Sequence, residues 1–191
     1  MIARAQDPLI SPVTAQELAE WLVGDAADPL YYVILNGSTR AIINYIGYDL
    51  ISRAWKLTHN YWPTGGTFAN PSLSGQEGHY SGSINLPFAN LLSVESVTLY
   101  GDLSTDYQVR GDNIVLPVRT FSTDNQAAIV VDYTAGYGLT ADDVPDDIKM
   151  AVMMMASMQY DHRGACSTAD ALTLSGAREL LIPYRNPSLL V

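Results

Sequence analysis

Val131-Asp132-Tyr133-Thr134-Ala135-Gly136-Tyr137-Gly138 leads through an acidic turn around Pro145 into Ile148-Lys149-Met150-Ala151-Val152-Met153-Met154-Met155-Ala156-Ser157-Met158-Gln159-Tyr160. The first part reads as a strand, the second as a helix beginning near Asp143 to Pro145. Along that helix Ile148, Ala151, Val152, Met155 and Met158 share one face, and Met150, Met153 and Met154 widen the apolar band beyond a single stripe. A helix apolar on so many sides must be covered on several of them, so it is either the centre of a bundle or a subunit contact. Met150, Met153, Met154 and Met158 are the candidate interface residues.

Working outward, Gly164 closes this helix and a Ser/Thr/Ala segment follows. Residues 169–181 then form a short helix, with Leu172, Leu180 and Leu181 available for packing before Pro183 stops it. The tail, residues 186–191, ends in Leu189, Leu190 and Val191; it is too apolar for solvent and too short to fold, and is expected to order on a partner.

Towards the N-terminus, residues 1–12 carry no periodicity and read as an extended arm. Thr14 and Glu17 form a capping box, Val13 can staple onto Leu18, and Leu18, Trp21 and Leu22 give the first helix one apolar face up to Gly24. Asp28-Pro29 starts a second helix, in which Leu30, Val33, Ile34, Ala41, Ile42, Tyr45 and Ile46 recur at helical spacing as far as Gly47. Gly37-Ser38 weakens its middle, which close packing of a neighbour would make tolerable. From Ile51 the period becomes two: Ile51, Arg53, Trp55, Leu57, His59 and Tyr61 alternate with smaller or polar residues. Residues 63–83 are rich in Gly, Ser, Asn and Pro and read as a mobile, partner-touching loop. Further strands are expected at 83–86, 94–100, 107–110, 113–116 and 127–133, with turns at Gly101-Asp102 and Gly111-Asp112-Asn113.

The expected fold is therefore α+β: a small α-helical bundle from residues 13–50 and 139–185, an inserted antiparallel β region at 51–138, and extended termini at 1–12 and 186–191. With 191 residues, 48% apolar and 16% charged, the chain can bury a real core. It has no apolar run long enough to cross a bilayer and no signal-peptide layout, so it reads as soluble and unprocessed, with no membrane partner. The lone Cys166 excludes an internal disulfide and a thiolate zinc site, in keeping with a reducing cytoplasm. The net charge of −10, with ten scattered basic residues, argues against gripping nucleic acid.

Candidate chemistry is sparse, and no cofactor or metal site is assigned. Asp142, Asp143, Asp146 and Asp147 are read as helix-capping carboxylates, since they lack the pattern of a calcium loop. His59, His79 and His162 do not form a zinc motif, and His162 with Cys166 is at most an incomplete pair. No Gly-x-Ser-x-Gly elbow is present, and Gly136-Tyr137-Gly138 is a turn rather than a dinucleotide fingerprint. Around the long loop, Tyr61, Trp62, Phe68 and Tyr80 either stack on a sugar or protein partner or pack the sheet; Trp62, Phe68 and Tyr80 are the candidate contact residues.

Several motifs occur in a telling order: the helix ending Ile46-Gly47-Tyr48, the Trp55 strand, Ile84-Asn85-Leu86-Pro87, Ser93-Val94-Glu95-Ser96-Val97, the strand at 131–137, Val144-Pro145 with its helix through Tyr160, and Leu180-Leu181-Ile182-Pro183-Tyr184-Arg185. This series resembles the head-tail connector (adaptor, head-completion) proteins of long-tailed bacteriophages. The likeness spans most of the chain, though Phe88-Ala89-Asn90 stands where such proteins commonly carry a second Pro. It implies a structural, non-enzymatic virion protein assembled in the host cytoplasm. Its copies would close into a dodecameric ring below the portal protein, extend a channel that genomic DNA traverses without specific binding, and offer a surface to the tail or a stopper protein. The resemblance makes Tyr184, Arg185, Leu189, Leu190 and Val191 a candidate portal-docking tail. The alternatives are a carbohydrate- or protein-binding β module of a phage tail using the 61–80 region, and a metal-dependent hydrolase using the Asp142 to Asp147 group.

Overall fold

The structure, a computed structural model, describes residues 2–59, 79–80, 82–88, 90–116, 119–120, 129–162 and 166–186. The fold is α+β and divides into two units: residues up to Asp7 with Arg53–Ala135, and Pro8–Ser52 with Gly136 onward.

The first unit is antiparallel β. A five-stranded sheet runs in the order β1 (Ile2–Ala5), β2 (Arg53–His59), β10 (Ile129–Ala135), β5 (Leu91–Leu99), β6 (Asp102–Ser104). A pair, β3 (His79–Tyr80) with β9 (Arg119–Thr120), and a trio, β4 (Ser83–Asn85), β8 (Asn113–Val115), β7 (Gln108–Arg110), complete it. Alternation decides what is inside: Trp55 and Leu57 of β2 and Ile129, Val131, Tyr133 and Ala135 of β10 are buried, joined by Val97, Leu99, Ile84, Leu86, Ile114 and Leu116. The Tyr133 hydroxyl donates to Pro87 O (2.7 Å), and Phe88, in a left-handed conformation, stacks on Trp55 with ring centroids 4.9 Å apart.

Several strand expectations change: β3 lies inside the expected loop 63–83, and β10 runs on to Ala135 past the expected end at Tyr133. Ile2–Ala5, expected as an unpaired part of the arm, is the edge strand β1, registered on β2 from Ile2 opposite Thr58 to Ala5 opposite Trp55. At four residues, two of them alanine, it is too short to show a side-chain period. β5 begins three residues earlier than expected, at Leu91, because register shifts opposite β10 carry the pairing past the regular alternation. Gly101-Asp102 was expected as turn alone; Tyr100 and Gly101, both at positive φ, make the two-residue hairpin and Asp102 already belongs to β6.

The second unit is helical. Thr14 and Glu17 cap α1 (Ala15–Leu22) reciprocally, with Thr14 N–H to Glu17 Oε2 at 2.7 Å and Glu17 N–H to Thr14 Oγ1 at 3.2 Å. The left-handed residue at its end is Val23, 94% exposed, rather than the expected Gly24. Gly24 is small for another reason, since a Cβ there would lie 2.0 Å from the Tyr31 hydroxyl oxygen. Helix α2 (Pro29–Ile46) starts at the Asp28 cap and stops at Gly47, burying Tyr31, Ile34, Leu35, Ser38, Thr39, Ile42, Ile43 and Ile46. Trp21 and Val33, expected on packed faces, are exposed.

Helix α3 (Asp146–Asp161) follows a 3₁₀ turn at Ala141–Asp143 and packs on α1, α2, α4 (Thr168–Leu174) and α5 (Ala177–Leu181). The single helix expected at 169–181 is thus two. Ser167 and Asp170 cap α4, and Gly176, at φ 80°, breaks the run before α5. Pro183 does not end the path but sits inside a 3₁₀ turn, Ile182–Tyr184, early enough that its missing N–H costs nothing.

Gly136 has φ 147°, and a Cβ there would stand 2.5 Å from Ser52 Cα and 2.6 Å from Ser52 N. Both atoms are backbone and cannot swing aside. Gly136→Ala should destabilise the fold by more than about 2 kcal/mol in urea unfolding, the sum of backbone strain and overpacking.

Candidate assembly surfaces

The Met-rich helix is mostly accounted for inside its own unit. Met155 is buried with Ile148, Ala151, Val152 and Ala156; Met153, Met154 and Met158 are half-buried, and Met150 is 43% exposed. A Cβ added to Gly176 would meet Met154 Cε at 3.3 Å, so that side chain fills the break between α4 and α5. Of the four candidate interface residues, Met150 keeps the most open surface. Met158, expected on the packed face, is only partly covered.

The C-terminal candidates separate. The Tyr184 hydroxyl donates to Asp147 Oδ2 (2.9 Å), and the Arg185 guanidinium lies 5.1 Å from the Tyr45 ring centroid. Asn186 is buried, and its N–H donates to Ile46 O at 2.7 Å. Tyr184 and Arg185 therefore clasp the bundle at the end of α2 and the start of α3, and the expected tail 186–191 has its first residue anchored. Leu189, Leu190 and Val191 lie outside the described residues. So do Trp62 and Phe68 of the expected contact loop; Tyr80 is in β3, and nothing is described of its side chain.

Three of the four carboxylates of the acidic turn have a local partner, and Asp142 is exposed. Asp143 accepts from Thr140 N–H and Thr140 Oγ1, both 2.9 Å, and these bonds hold its carboxyl below the usual range. Asp146 pairs with Lys149 at 2.8 Å, raising that ammonium's pKa, and Asp147 takes the Tyr184 bond, which raises the tyrosine's. Among the described residues no group of three or more His, Cys, Asp and Glu side chains is arranged to hold a metal ion. His162 Nδ1 lies 3.2 Å from Met158 O, and Cys166 Sγ points to Ser167 O (3.4 Å). None of the helices is long and apolar enough to cross a membrane among the described residues.

Sequence periodicity singled out neither Tyr32 nor Leu139, both exposed apolar side chains, and placed exposed Val33 on a packed face. Val33 falls at the helical spacing of the packed face, and only the packing of α2 reveals which side of the helix is free.

No protein-family model matches this sequence, and no curated protein does. Solved structures share its fold. A chain in the neck of an empty gene transfer agent particle, computed with C6 symmetry, matches with a TM-score of 0.70 at 17% identity, over 97% of this chain and 96% of that one. A chain in the neck of the native particle, computed with C12 symmetry, gives 0.63 at 19% identity over 92% and 94%. A chain in the virion of the native particle gives 0.62 at 16% over 91% and 94%.

Tyr137, half-buried, has its pKa pushed up to about 12 by desolvation, with Tyr48 and Tyr184 adding to the rise. A folded pKa above the unfolded value near 10 means that this contribution to stability is complete below pH 10 and fades as pH rises towards 12. Tyr137→Phe should flatten the loss of stability across that alkaline window, measured as unfolding midpoint against pH.

Proposed function

We propose that this chain is a structural subunit of a virion neck, a connector whose copies form a ring at the portal vertex and carry the tail. The observation that supports it most is that the likeness to neck chains runs nearly end to end, with a TM-score of 0.70 over 97% of this chain and 96% of the neighbour. A match on that scale covers both units, so it is not the chance similarity of one hairpin or one helix pair. The ordered motifs from Thr14 to Arg185 point the same way.

The surface chemistry suits the role. A charge of −10 gives the ring a wall that repels phosphates, so that genomic DNA passes without sticking. Asp143, Asp146 and Asp147 are engaged in caps and pairs, which favours a subunit that binds other polypeptides over one that turns over a substrate. In this reading the clasp formed by Tyr184, Arg185 and Asn186 fixes the point from which residues 187–191 leave the bundle. Leu189, Leu190 and Val191 then dock on the portal protein, while the opposite side of the ring meets the tail or a stopper.

Negative-stain imaging of the purified protein, alone and mixed with portal protein, tests this. Rings in either sample are expected; a protein that stays monomeric and ignores the portal overturns the proposal. Removing residues 187–191 should abolish portal binding while leaving the thermal midpoint within a few degrees of the full chain. Unchanged binding by the truncated protein would remove the docking role of the tail.

A further inference from the structure

The helical unit has a groove of ≈ 380 Å³ lined by Pro8, Leu9, Tyr32, Asn36, Gly37 and Arg40. Tyr32, Asn36 and Arg40 follow one another at i, i+4 and i+8, so they form one ridge of α2. Tyr32 is 68% exposed and its neighbour Val33, one turn before Gly37, 64%. These are large apolar surfaces to leave in water beside a cavity.

Gly37 leaves this face of α2 open as well. Its backbone is helical, and a Cβ at that position would meet only Gln159 Oε1, at 4.0 Å. The close neighbour that would make a mid-helix glycine tolerable is therefore absent among the described residues. A glycine on an exposed helix face lets a second backbone approach closely.

We infer that this groove seats a second copy of the chain, and that the corner carrying Leu139 and Asp142 is the part of that copy which enters it. The inference rests on the ring reading above and names its contact. Leu139 is 82% exposed, and the loop that presents it is held by the Thr140–Asp143 capping bonds. Exposed Asp142 lies three residues further on. An apolar side chain beside a carboxylate complements a groove with apolar lining and the exposed cation of Arg40. That complement matters for an acidic chain, since copies carrying −10 each repel unless a cation of one faces a carboxylate of the next.

The two surfaces also lie far apart on one subunit. Gly37 of the groove lies nearest Gln159 of α3, whereas Asp142 is close enough to Lys149 to raise its pKa; those two positions of α3 are ten residues apart, about 15 Å. Different faces at different ends make the contact heterologous, the type that closes rings rather than two-fold dimers.

Charge exchange and disulfide trapping test it together. Arg40→Glu, whose exposed site should leave the thermal midpoint unchanged, should raise the concentration needed for ring formation roughly tenfold or more, and adding Asp142→Lys should restore assembly. In a Cys166→Ser background, Asn36→Cys with Asp142→Cys should give a ladder of covalent oligomers on oxidation, whereas either cysteine alone should stop at dimers. If wild-type rings form but Arg40→Glu assembles equally well and the double-cysteine protein yields no ladder, this contact is wrong and the ring stands. If Asn36→Cys instead closes a disulfide within one chain to Leu190→Cys, the groove belongs to the chain's own tail and the inference falls. A wild-type protein that never forms rings, alone or with portal, removes the ring reading itself.

Discussion

Two passages of backbone lie against each other where the β unit is inserted, and the rest of the structure depends on that contact. Ser52 donates both its N–H and its hydroxyl to Gly138 O, each at 2.8 Å, and Tyr137 N–H donates to Leu50 O at 3.1 Å. Ile51 and Gly138 form a parallel bridge, and Gly136 comes so near Ser52 that no side chain fits. One residue beyond on either strand, Arg53 is already paired with Ala135, so the outgoing and returning chains start β2 and β10 in register. An insertion whose two ends are neighbours costs the host little loop-closure entropy, and the helical unit can close its own core around Leu50 and Ile51.

Within that unit α3 is the hub, and its methionines serve packing first. Four helices surround it; Met155 is buried among them, and the adaptable side chain of Met154 reaches the break at Gly176. An apolar band wider than one stripe thus does not by itself signal a partner; it can equally signal a helix with neighbours on most sides. Large apolar groups also remain exposed on the outer ridge of α2, at Tyr32 and Val33, and at the Leu139 corner, as does Met150 of α3 itself.

Local signals were legible wherever one short stretch contained both partners of an interaction. The Thr14–Glu17 box, the Asp28-Pro29 start, the stop at Gly47 and the alternation of β10 are all of this kind, because the bonds or the packed face recur within a few residues. The misses are of the opposite kind. β1 reads as structureless because it is four residues long and its partner β2 is some fifty positions away. The break at Gly176 is less visible than the leucines on either side, and Val23 accepts a left-handed conformation while Gly24 is reserved for the Tyr31 hydroxyl.

Residue order alone determined the α+β class, the helix–sheet–helix sequence of the chain and most cap positions, since propensity, capping and periodicity act between near neighbours. Which faces are covered, that Tyr184 and Arg185 clasp the bundle, and that Gly37 opens into a groove beside Tyr32 were decided only by tertiary structure. Burial is a property of what packs across from a residue, and in this chain those partners lie as far apart as Ser38 and Gln159.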